Sequence, residues 1–202
     1  MKSPTQFIVK PFNDKRYVNE KEIGGVNFIT NTSEENHKAS TRYGVVVAVP
    51  LNYTGEIKKG DILLVHHNVF KFYNDMYGRR KSGKSYFMDN LFFIDEDQFF
   101  LYNQEGVWHT YDRYCFVKPI KTKESTIIKN TRYEPLIGLM KYPNEYLKSK
   151  GINEGDLVAF KPDGEYEFEV DGETLYRMYD HQITLKLNGN KTTQTEDNTS
   201  RI

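Results

Sequence analysis

Short runs of apolar residues, separated by turns rich in glycine, aspartate and asparagine, make up most of the chain. Residues 44–50 are a nearly continuous run of valine and alanine, and residues 91–94 are aromatic and aliphatic. Short runs of this kind, bounded by turn residues, are typical of β-strands. Helical signal is thin throughout the chain, and the best candidate is one or two turns at residues 143–150, which Gly151 ends. The pattern therefore predicts an all-β fold with one short helix.

The strand-like segments occur twice in the same order along the chain, which indicates an internal repeat. The matched pairs are Phe7-Ile-Val-Lys-Pro11 with Cys115-Phe-Val-Lys-Pro119, Thr41-Arg-Tyr43 with Thr131-Arg-Tyr133, Gly60-Asp61 with Gly155-Asp156, Asp89-Asn90 with Asp171-Gly172, and residues 98–102 with residues 182–187. Five matches in one order predict two tandem small β-barrels, over residues 5–103 and 113–187. Residues 104–112 are predicted to be a linker between them, and the polar residues 188–202 a disordered tail.

Two insertions distinguish the first copy from the second. Residues 20–42 are largely polar, and a polar segment of this length cannot bury enough apolar surface to offset its ordering entropy. We therefore predict a mobile loop at 20–42, which the second copy lacks. Residues 72–87 hold the second insertion, which we predict to be a basic hairpin.

The predicted mobile loop carries an apolar sequence that a solvated loop does not need. A glycine hinge with unrestricted backbone angles is followed by an apolar segment, the residues being Gly24, Gly25, Val26, Asn27, Phe28 and Ile29. In an extended segment alternate side chains share a face, so Val26 and Phe28 would point one way and Asn27 the other. Two apolar anchors on one side of a short strand are suited to a groove on a partner protein.

Composition and charge reduce the number of function classes that fit the chain. The chain has 28 basic and 28 acidic residues, so its net charge does not favour nucleic acid or an anionic membrane as a partner. The single Cys115 excludes an internal disulfide and a multi-cysteine metal site, and we predict that this thiol is a small buried side chain. No apolar run approaches the length of a membrane span, and residues 1–6 lack the core of a signal peptide. A soluble, cytoplasmic protein is expected, in the host cytoplasm if the source is viral.

Residues 78–85, Gly-Arg-Arg-Lys-Ser-Gly-Lys-Ser, match the pattern of a phosphate-binding loop. That chemistry needs backbone amides at the N-terminus of a helix, whereas the residues after Ser85 are aromatic and strand-like. We therefore predict a basic hairpin tip and no nucleotide site. Cations close to aromatic side chains leave single-stranded nucleic-acid binding as an alternative, through Arg79, Arg80, Lys81 and Lys84 with Tyr73, Tyr77 and Tyr86.

Candidate residues for catalysis or metal binding are few. His66 and His67 continue the predicted strand of residues 63–68, so we expect them on opposite faces of it and not on one metal ion. No serine–histidine–aspartate or cysteine–histidine arrangement is suggested by the spacing. The sequence predicts no catalytic residue, no metal site and no cofactor, and therefore a protein that is not an enzyme.

The order of motifs in the first copy resembles the GroES-type co-chaperonins, the chaperonin-10 family. An N-terminal strand leads to a loop in which Gly24-Gly25 precedes an apolar tripeptide. The most specific similarity lies in Lys-Ala-Ser-Thr-Arg-Tyr-Gly-Val-Val-Val-Ala-Val at 38–49 and in the Lys-Gly-Asp-Ile turn at 59–62. An Asp-Asn turn and a terminal strand follow at 89–102. The second copy resembles the same barrel without its loop.

The resemblance implies a homo-oligomeric, seven-membered ring of GroES-like barrels that caps a GroEL-type chaperonin. The ring would assist protein folding that depends on ATP, and the ATP would be used by the partner. Residues 24–29 would be the chaperonin-binding residues, with Asn27 in place of the usual apolar middle residue. The resemblance also implies that the first strand of one subunit pairs with the last strand of the next, here residues 7–10 and 98–102.

Two barrels in one chain leave two ring arrangements open. The first domains alone would form the ring, with the second domains outside or above it, or both domains would alternate in a ring that carries fewer loops. A second hypothesis retains the fold without the co-chaperonin role. The chain would then be a tandem β-barrel protein that is structural or binds single-stranded nucleic acid. Deletion of residues 23–30 would abolish assisted refolding under the first hypothesis alone.

Overall fold

Antiparallel strands dominate both halves of the chain, in the segments where apolar and β-branched residues are concentrated. The chain divides into Met1–Tyr114 and Cys115–Ile202, which we call unit 1 and unit 2. The structure is a computed structural model that describes residues 1–17, 20–23, 26–29, 40–122 and 133–187, with the backbone alone described at 20–23 and 26–29. The all-β class predicted from the sequence is confirmed.

Unit 1 is built on one six-stranded antiparallel sheet. The ten strands described in unit 1 are β1 (Phe7–Pro11), β2 (Glu20–Ile23), β3 (Val26–Ile29), β4 (Tyr43–Ala48), β5 (Ile62–Val65), β6 (Phe72–Asn74), β7 (Arg80–Ser82), β8 (Phe92–Ile94), β9 (Phe99–Gln104) and β10 (Val107–Thr110). The sheet has the strand order β10-β9-β5-β4-β1-β8, while β2–β3 and β6–β7 form two separate hairpins. Short 3-10 helices lie at Phe12–Asp14 and Glu96–Gln98.

Unit 2 is built on a second six-stranded antiparallel sheet. Its strands are β11 (Tyr114–Lys121), β12 (Tyr133–Tyr142), β13 (Leu157–Phe160), β14 (Tyr166–Val170), β15 (Glu173–Tyr179) and β16 (Ile183–Lys186), and their order is β14-β15-β11-β12-β13-β16. A 3-10 helix lies at Asp180–Gln182. The predicted helix is confirmed as α1 (Glu145–Ser149), where the Asn144 side chain accepts a hydrogen bond from the Leu147 amide and caps the first turn.

The two sheets share one strand order. In unit 1 the order β9-β5-β4-β1-β8 corresponds to β16-β13-β12-β11-β15 in unit 2, and a 3-10 helix precedes the last strand in both. An irregularity is shared as well. The pairing register shifts between Ile8 and Val9 in β1–β4, and between the matching residues Phe116 and Val117 in β11–β12. The repeat seen in the sequence is therefore a repeat of strand order and register.

One of the five sequence matches is not a structural match. The register pairs Pro11 with Gly44 in unit 1 and Pro119 with Gly138 in unit 2, so Gly138 is the counterpart of Gly44. Tyr43 precedes Gly44 directly, whereas Tyr133 lies five positions before Gly138, at the start of the longer strand β12. The match between Thr41-Arg-Tyr43 and Thr131-Arg-Tyr133 was therefore wrong, because the pairing register follows the apolar positions of the sheet and not those polar residues.

The predicted linker at 104–112 belongs to unit 1. Strand β10 pairs antiparallel with β9, and the two are joined by Glu105 and Gly106, both of which have positive φ. Such a two-residue turn matches the twist of an antiparallel hairpin. The segment is therefore a hairpin strand of the first sheet and not a spacer.

The predicted inter-subunit edges are interior strands. Strand β1 pairs with β4 on one side and β8 on the other, and β9 pairs with β5 and β10. Both predicted edges, residues 7–10 and 98–102, were therefore wrong, since their hydrogen-bonding groups are used inside the unit. Within the part of the chain that the structure describes, the strand orders are open, with β8 and β10 at the ends of the first sheet and β14 and β16 at the ends of the second.

Each unit has its own apolar core. In unit 1 the buried cluster is rich in phenylalanine and includes Phe7, Phe70, Phe92 and Phe99. In unit 2 it includes Cys115, Val117, Met140 and Met178. The predicted burial of Cys115 is confirmed. In the ranges that the structure describes, no helix is long and apolar enough to cross a membrane.

Candidate binding site

Four of the six predicted binding residues lie on strand β3, which pairs with β2 between β1 and β4. Strand β2 pairs with β3 along its whole length, from Glu20 opposite Ile29 to Ile23 opposite Val26. Val26, Asn27, Phe28 and Ile29 are thus the four residues of β3, with extended backbone. Gly24 and Gly25 lie outside the described residues. The predicted loop 20–42 therefore holds paired strands at 20–23 and 26–29, although the pattern predicted a loop throughout.

The chain enters and leaves this excursion through a closed neck. Tyr17 and Ser40 form an isolated antiparallel bridge, and the Thr41 amide donates to the Arg16 carbonyl at 2.9 Å. The Thr41 hydroxyl donates to the Lys15 carbonyl at 2.7 Å. These bonds hold Tyr17 and Ser40, the two ends of the excursion, together at one position on unit 1. We call Lys15–Tyr17 with Ser40–Thr41 the neck.

Arg16 fastens the neck to the rest of unit 1. Its Nε donates to the Phe70 carbonyl at 2.8 Å, and its two terminal nitrogens donate to Ser82 Oγ at 3.1 Å and to the Lys71 carbonyl at 3.3 Å. The guanidinium also lies 3.4 Å from the centre of the Phe72 ring. Hydrogen bonds from a charged donor contribute about 1.5–3 kcal/mol each, and a cation over an aromatic ring adds about 0.5–2 kcal/mol. Arg16 is therefore a strong attachment point.

Tyr17 makes the second attachment, to the same strand. Its ring is stacked on Phe72 with the centroids 5.8 Å apart and the planes 9° from parallel, and its hydroxyl accepts a hydrogen bond from the Phe72 amide at 2.8 Å. On the other side of the neck, the Ser40 hydroxyl donates to the His67 carbonyl at 3.2 Å. The neck and hairpin β6–β7 thus form one connected structure. Sequence reasoning missed it, because the partners lie some fifty positions apart and no local pattern marks them.

Hairpin β6–β7 is the basic insertion predicted from the sequence. Phe72 pairs with Ser82 and Asn74 with Arg80, and the turn between the strands is held by Asp75, whose Oδ1 accepts from the amides of Tyr77 and Arg79. No helix follows Ser85, since the fully described stretch from there continues through a turn into β8. The segment has the hairpin geometry that was predicted in place of a phosphate-binding loop.

The tip of this hairpin is exposed and partly apolar. Met76 and Tyr77 are 89% and 77% exposed, and Tyr73 on β6 is 50% exposed. Arg79 lies over the Tyr77 ring at 5.7 Å, while Arg80 packs on Phe72 at 3.6 Å. The cations at this tip are therefore arranged over aromatic rings.

The histidine pair lies differently from the prediction. Strand β5 ends at Val65, and His66 and His67 lie beyond it with their ring centroids 4.1 Å apart. The expectation that they occupy opposite faces of a strand was wrong, because the strand stops before them. No group of three or more histidine, cysteine, aspartate or glutamate side chains suited to a metal ion occurs among the described residues.

One thiol and four tyrosine hydroxyls have raised pKa values, which indicates structural roles for them. Burial raises the pKa of the Cys115 thiol to about 12, with Asp180 adding to the effect. Burial is also the main reason that the pKa values of Tyr53, Tyr102, Tyr111 and Tyr176 are raised. The Tyr102 hydroxyl also donates to Glu56 at 2.6 Å. These groups hold their protons at neutral pH, which is opposite to the shift that activates a nucleophile.

The geometry thus combines a hairpin excursion, a rigid neck and a basic hairpin fastened to that neck. All three belong to unit 1. Neither a scan against models of protein families nor a search of curated proteins finds a match for this chain.

Proposed function

We propose that this chain is a co-chaperonin that caps a GroEL-type chaperonin and assists protein folding driven by the partner's ATP hydrolysis. The observation that carries the proposal is the excursion between β1 and β4, in which residues 26–29 form an extended strand beyond a closed neck. An apolar sequence presented in this way on a β-sheet unit matches what the resemblance to the GroES-type family implies for residues 24–29.

The extended backbone of β3 supports the docking geometry. In an extended segment positions 26 and 28 belong to one face and position 27 to the other, so Asn27 need not enter an apolar groove. Burying one valine or phenylalanine side chain contributes about 1.5–3 kcal/mol, and ordering the segment offsets part of that gain. One such contact is therefore weak and readily released.

A ring of copies combines several weak contacts into tight binding to the chaperonin. Several docking segments on one assembly raise the effective concentration of each, so the combined affinity exceeds a single contact by about 10²–10⁴. The neck helps, because it fixes where each segment leaves its unit. The proposal includes the family's ring, seven-membered, and a small GroES-like barrel in each unit.

The docking assignment is tested by Val26→Ser with Phe28→Ser, compared with Asn27→Ala as the matched control. We expect the double variant to lose assisted refolding by a GroEL-type chaperonin with ATP, because both apolar anchors are removed. Asn27→Ala should retain most of the refolding yield, since position 27 lies on the other face of the segment. Refolding yield of a denatured client protein is the measurement.

Deletion of residues 23–30 provides a second, stronger variant. Far-ultraviolet circular dichroism should show that the sheets survive in both variants, because the excursion lies beyond the neck. An unchanged refolding yield in the deletion variant would contradict the docking assignment, and so would equal losses for Asn27→Ala and the double variant.

A second candidate function is single-stranded nucleic-acid binding through hairpin β6–β7. The observation in its favour is the exposed pairing of Tyr73 with Lys81 across the hairpin and of Arg79 with Tyr77 at its tip. Exposed aromatic rings beside cations can stack on bases and neutralise phosphates. Oligonucleotide binding that is tight without a chaperonin, and is lost on substitution of Arg79 and Arg80, would favour this candidate.

A further inference from the structure

The two insertions that distinguish unit 1 contact each other. The excursion leaves the first sheet between β1 and β4, and hairpin β6–β7 follows β5. Hydrogen bonds join the neck to this hairpin and to the two residues before it, and their partners lie 54 to 66 positions apart in the sequence. The position of the neck therefore depends on the position of the hairpin.

Arg16 makes three of these hydrogen bonds, to two backbone carbonyls and one hydroxyl. Its guanidinium also lies among aromatic rings, 3.4 Å from the centre of Phe72, 4.9 Å from that of Phe92 and 5.8 Å from that of Tyr86. Phe92 belongs to the buried core of unit 1. A planar guanidinium can donate in several directions while its face packs on a ring, which a lysine ammonium cannot do. These contacts therefore require an arginine.

The matching sequence position of unit 2 holds a different residue. Arg16 follows Pro11 of the shared Val-Lys-Pro motif at the same distance at which Glu124 follows Pro119. An ionised carboxylate has no hydrogen to donate to a backbone carbonyl, so glutamate cannot make the contacts of Arg16. The arginine therefore occurs in the copy whose insertion carries the apolar residues 26–29, and not at the matching position of the other copy.

The open end of hairpin β6–β7 makes the contact with the neck. Phe72 pairs with Ser82 at this end, and both contact the Arg16 guanidinium. Tyr17 reaches the same end, because its hydroxyl accepts a hydrogen bond from the Phe72 amide. The turn at the other end of the hairpin is held by Asp75. Substitutions that affect the neck contact can therefore be separated from substitutions at the exposed tip.

We infer that Arg16 is the positioning residue of the docking segment, residues 26–29, and that hairpin β6–β7 is the support against which Arg16 holds the neck. The inference rests on the proposed function, since that function supplies the docking role of the segment. Arg16 itself does not contact the partner; it limits the positions from which the excursion leaves unit 1. Restricting a docking segment before it binds reduces the entropy that is lost on binding, so a held neck raises the affinity for the partner.

A held neck also fixes the length of the connection between the docking segment and the sheet. The effective concentration of a tethered segment is highest when its tether matches the distance to be spanned, and it falls as the tether becomes longer. Opening of the neck would add residues to the tether at both ends of the excursion. Loss of Arg16 should therefore weaken binding without removing any residue that touches the partner.

A double-mutant cycle on the full chain tests the inference. The variants are Arg16→Gln, Ser82→Ala and the chain with both changes, and Arg16→Lys keeps the charge without the planar fork. The matched control is Lys59→Gln, which removes the same single charge from an exposed turn of unit 1. Two quantities are measured for each chain. They are the hydrogen exchange of the Thr41 amide, which donates across the neck to the Arg16 carbonyl, and the affinity for a GroEL-type chaperonin with ATP.

We expect Arg16→Gln to speed exchange of the Thr41 amide about tenfold or more and to weaken chaperonin binding by a similar factor, because bonds from a charged donor are lost. Arg16→Lys should give an intermediate result, since an ammonium makes fewer of the contacts. Ser82→Ala should have an effect of about threefold, and little further effect when Arg16 is already replaced, because the hydroxyl acts through Arg16. Exchange in β9 should be unchanged in every variant, and Lys59→Gln should match the original chain.

Three results would overturn the inference. Thr41 exchange in Arg16→Gln would stay within about twofold of the original, or exchange would rise equally in β9, which would make Arg16 a general stabiliser of unit 1. In the third result the neck opens but chaperonin affinity is unchanged, and the proposed function would then stand without the positioning role. Failure of the original chain to bind the chaperonin would overturn the proposed function and with it the positioning role, whereas the exchange measurement, made without chaperonin, would still show whether Arg16 holds the neck.

Discussion

Units 1 and 2 have the same framework and different connections. The framework agrees in detail at the glycine–aspartate turns. The carboxylate of Asp61 accepts from the Lys58 amide at 2.8 Å, and that of Asp156 accepts from the Asn153 amide at 2.7 Å. The Gly60 amide donates to the Val46 carbonyl at 2.9 Å, and the Gly155 amide donates to the Met140 carbonyl at 2.8 Å.

The connections differ where partner contacts are proposed. Between their first two shared strands, unit 1 has residues 12–42, which include the neck and β2–β3, whereas unit 2 has residues 122–132. After the third shared strand, unit 1 inserts hairpin β6–β7 and unit 2 has the acidic strand β14. The comparison teaches that a duplicated sheet can hold its strand order while each copy receives a different surface through its loops.

The largest difference in stability should lie in the last shared strand. Phe99 in β9 is fully buried and its ring lies 5.3 Å from Phe7 and 4.4 Å from Tyr111, whereas its register counterpart Ile183 in β16 is half-buried. We expect Phe99→Ala to lower the free energy of unfolding of unit 1 by about 3–5 kcal/mol. Ile183→Ala should lower that of unit 2 by about 1–2 kcal/mol.

Hydrogen exchange resolved by segment measures these two effects separately. Each substitution should reduce the protection of amides in its own unit, because each unit has its own core. Equal losses for Phe99→Ala and Ile183→Ala would mean that the half-buried position carries as much packing as the buried one, and the contrast between the two last strands would fail.

Gly44 and Gly138 give a second contrast, of intermediate size. A methyl group at Gly138 would collide with the Val117 side chain and lie 2.8 Å from the Lys118 carbonyl, which is backbone and cannot move aside. At Gly44 the nearest atom would be the tip of the Phe70 ring, at 3.2 Å. We expect Gly138→Ala to destabilise unit 2 by about 2–3 kcal/mol and Gly44→Ala to destabilise unit 1 by about 1 kcal/mol.

Urea unfolding followed by signals from each unit would measure both glycine variants. A larger effect at Gly44 than at Gly138 would show that the two first strand pairs are not packed alike, despite their common register.

Cys115 provides the smallest contrast, through pH. The thiol has its ordinary pKa of about 9 when unfolded and a pKa of about 12 when folded. A raised folded pKa gives stability that is fully present below pH 9 and is lost as pH rises from there through 12. Between pH 9 and 10 we expect unit 2 to lose about 1 kcal/mol from this group.

The check is a comparison of unfolding free energy at neutral pH and at pH near 10, for the original chain and Cys115→Ala. The substitution should flatten the alkaline decline of unit 2 and leave that of unit 1 unchanged, since Cys115 belongs to the second core. An equally steep decline without the thiol would assign the effect to other groups, such as Tyr176.

Much of the fold was predictable because its signals are local. Apolar runs and turn residues marked the strands, and Gly151 marked the end of the helix predicted at residues 143–150. The excursion at 20–42 and the basic hairpin at 72–87 were located by comparing the copies. The pairing within the excursion was not predicted, because a polar composition gives no register.

Other features depended on contacts that no local pattern contains. The residues at 104–112 read as a linker, yet Glu105 and Gly106 turn the chain back so that β10 joins the sheet. The His66 and His67 rings lie together because β5 ends at Val65.

The sequence by itself determined the all-β class, the repeated order of strands and the burial of Cys115, because periodicity, turn chemistry and apolar composition are read along the chain. Only the tertiary structure decided which strands are interior, that Gly138 corresponds to Gly44, and that Arg16 joins the neck to β6–β7. The physical reason is that strand pairing and the hydrogen bonds of Arg16 link residues far apart in sequence. Their partners are therefore selected by the packed sheet and not by neighbouring residues.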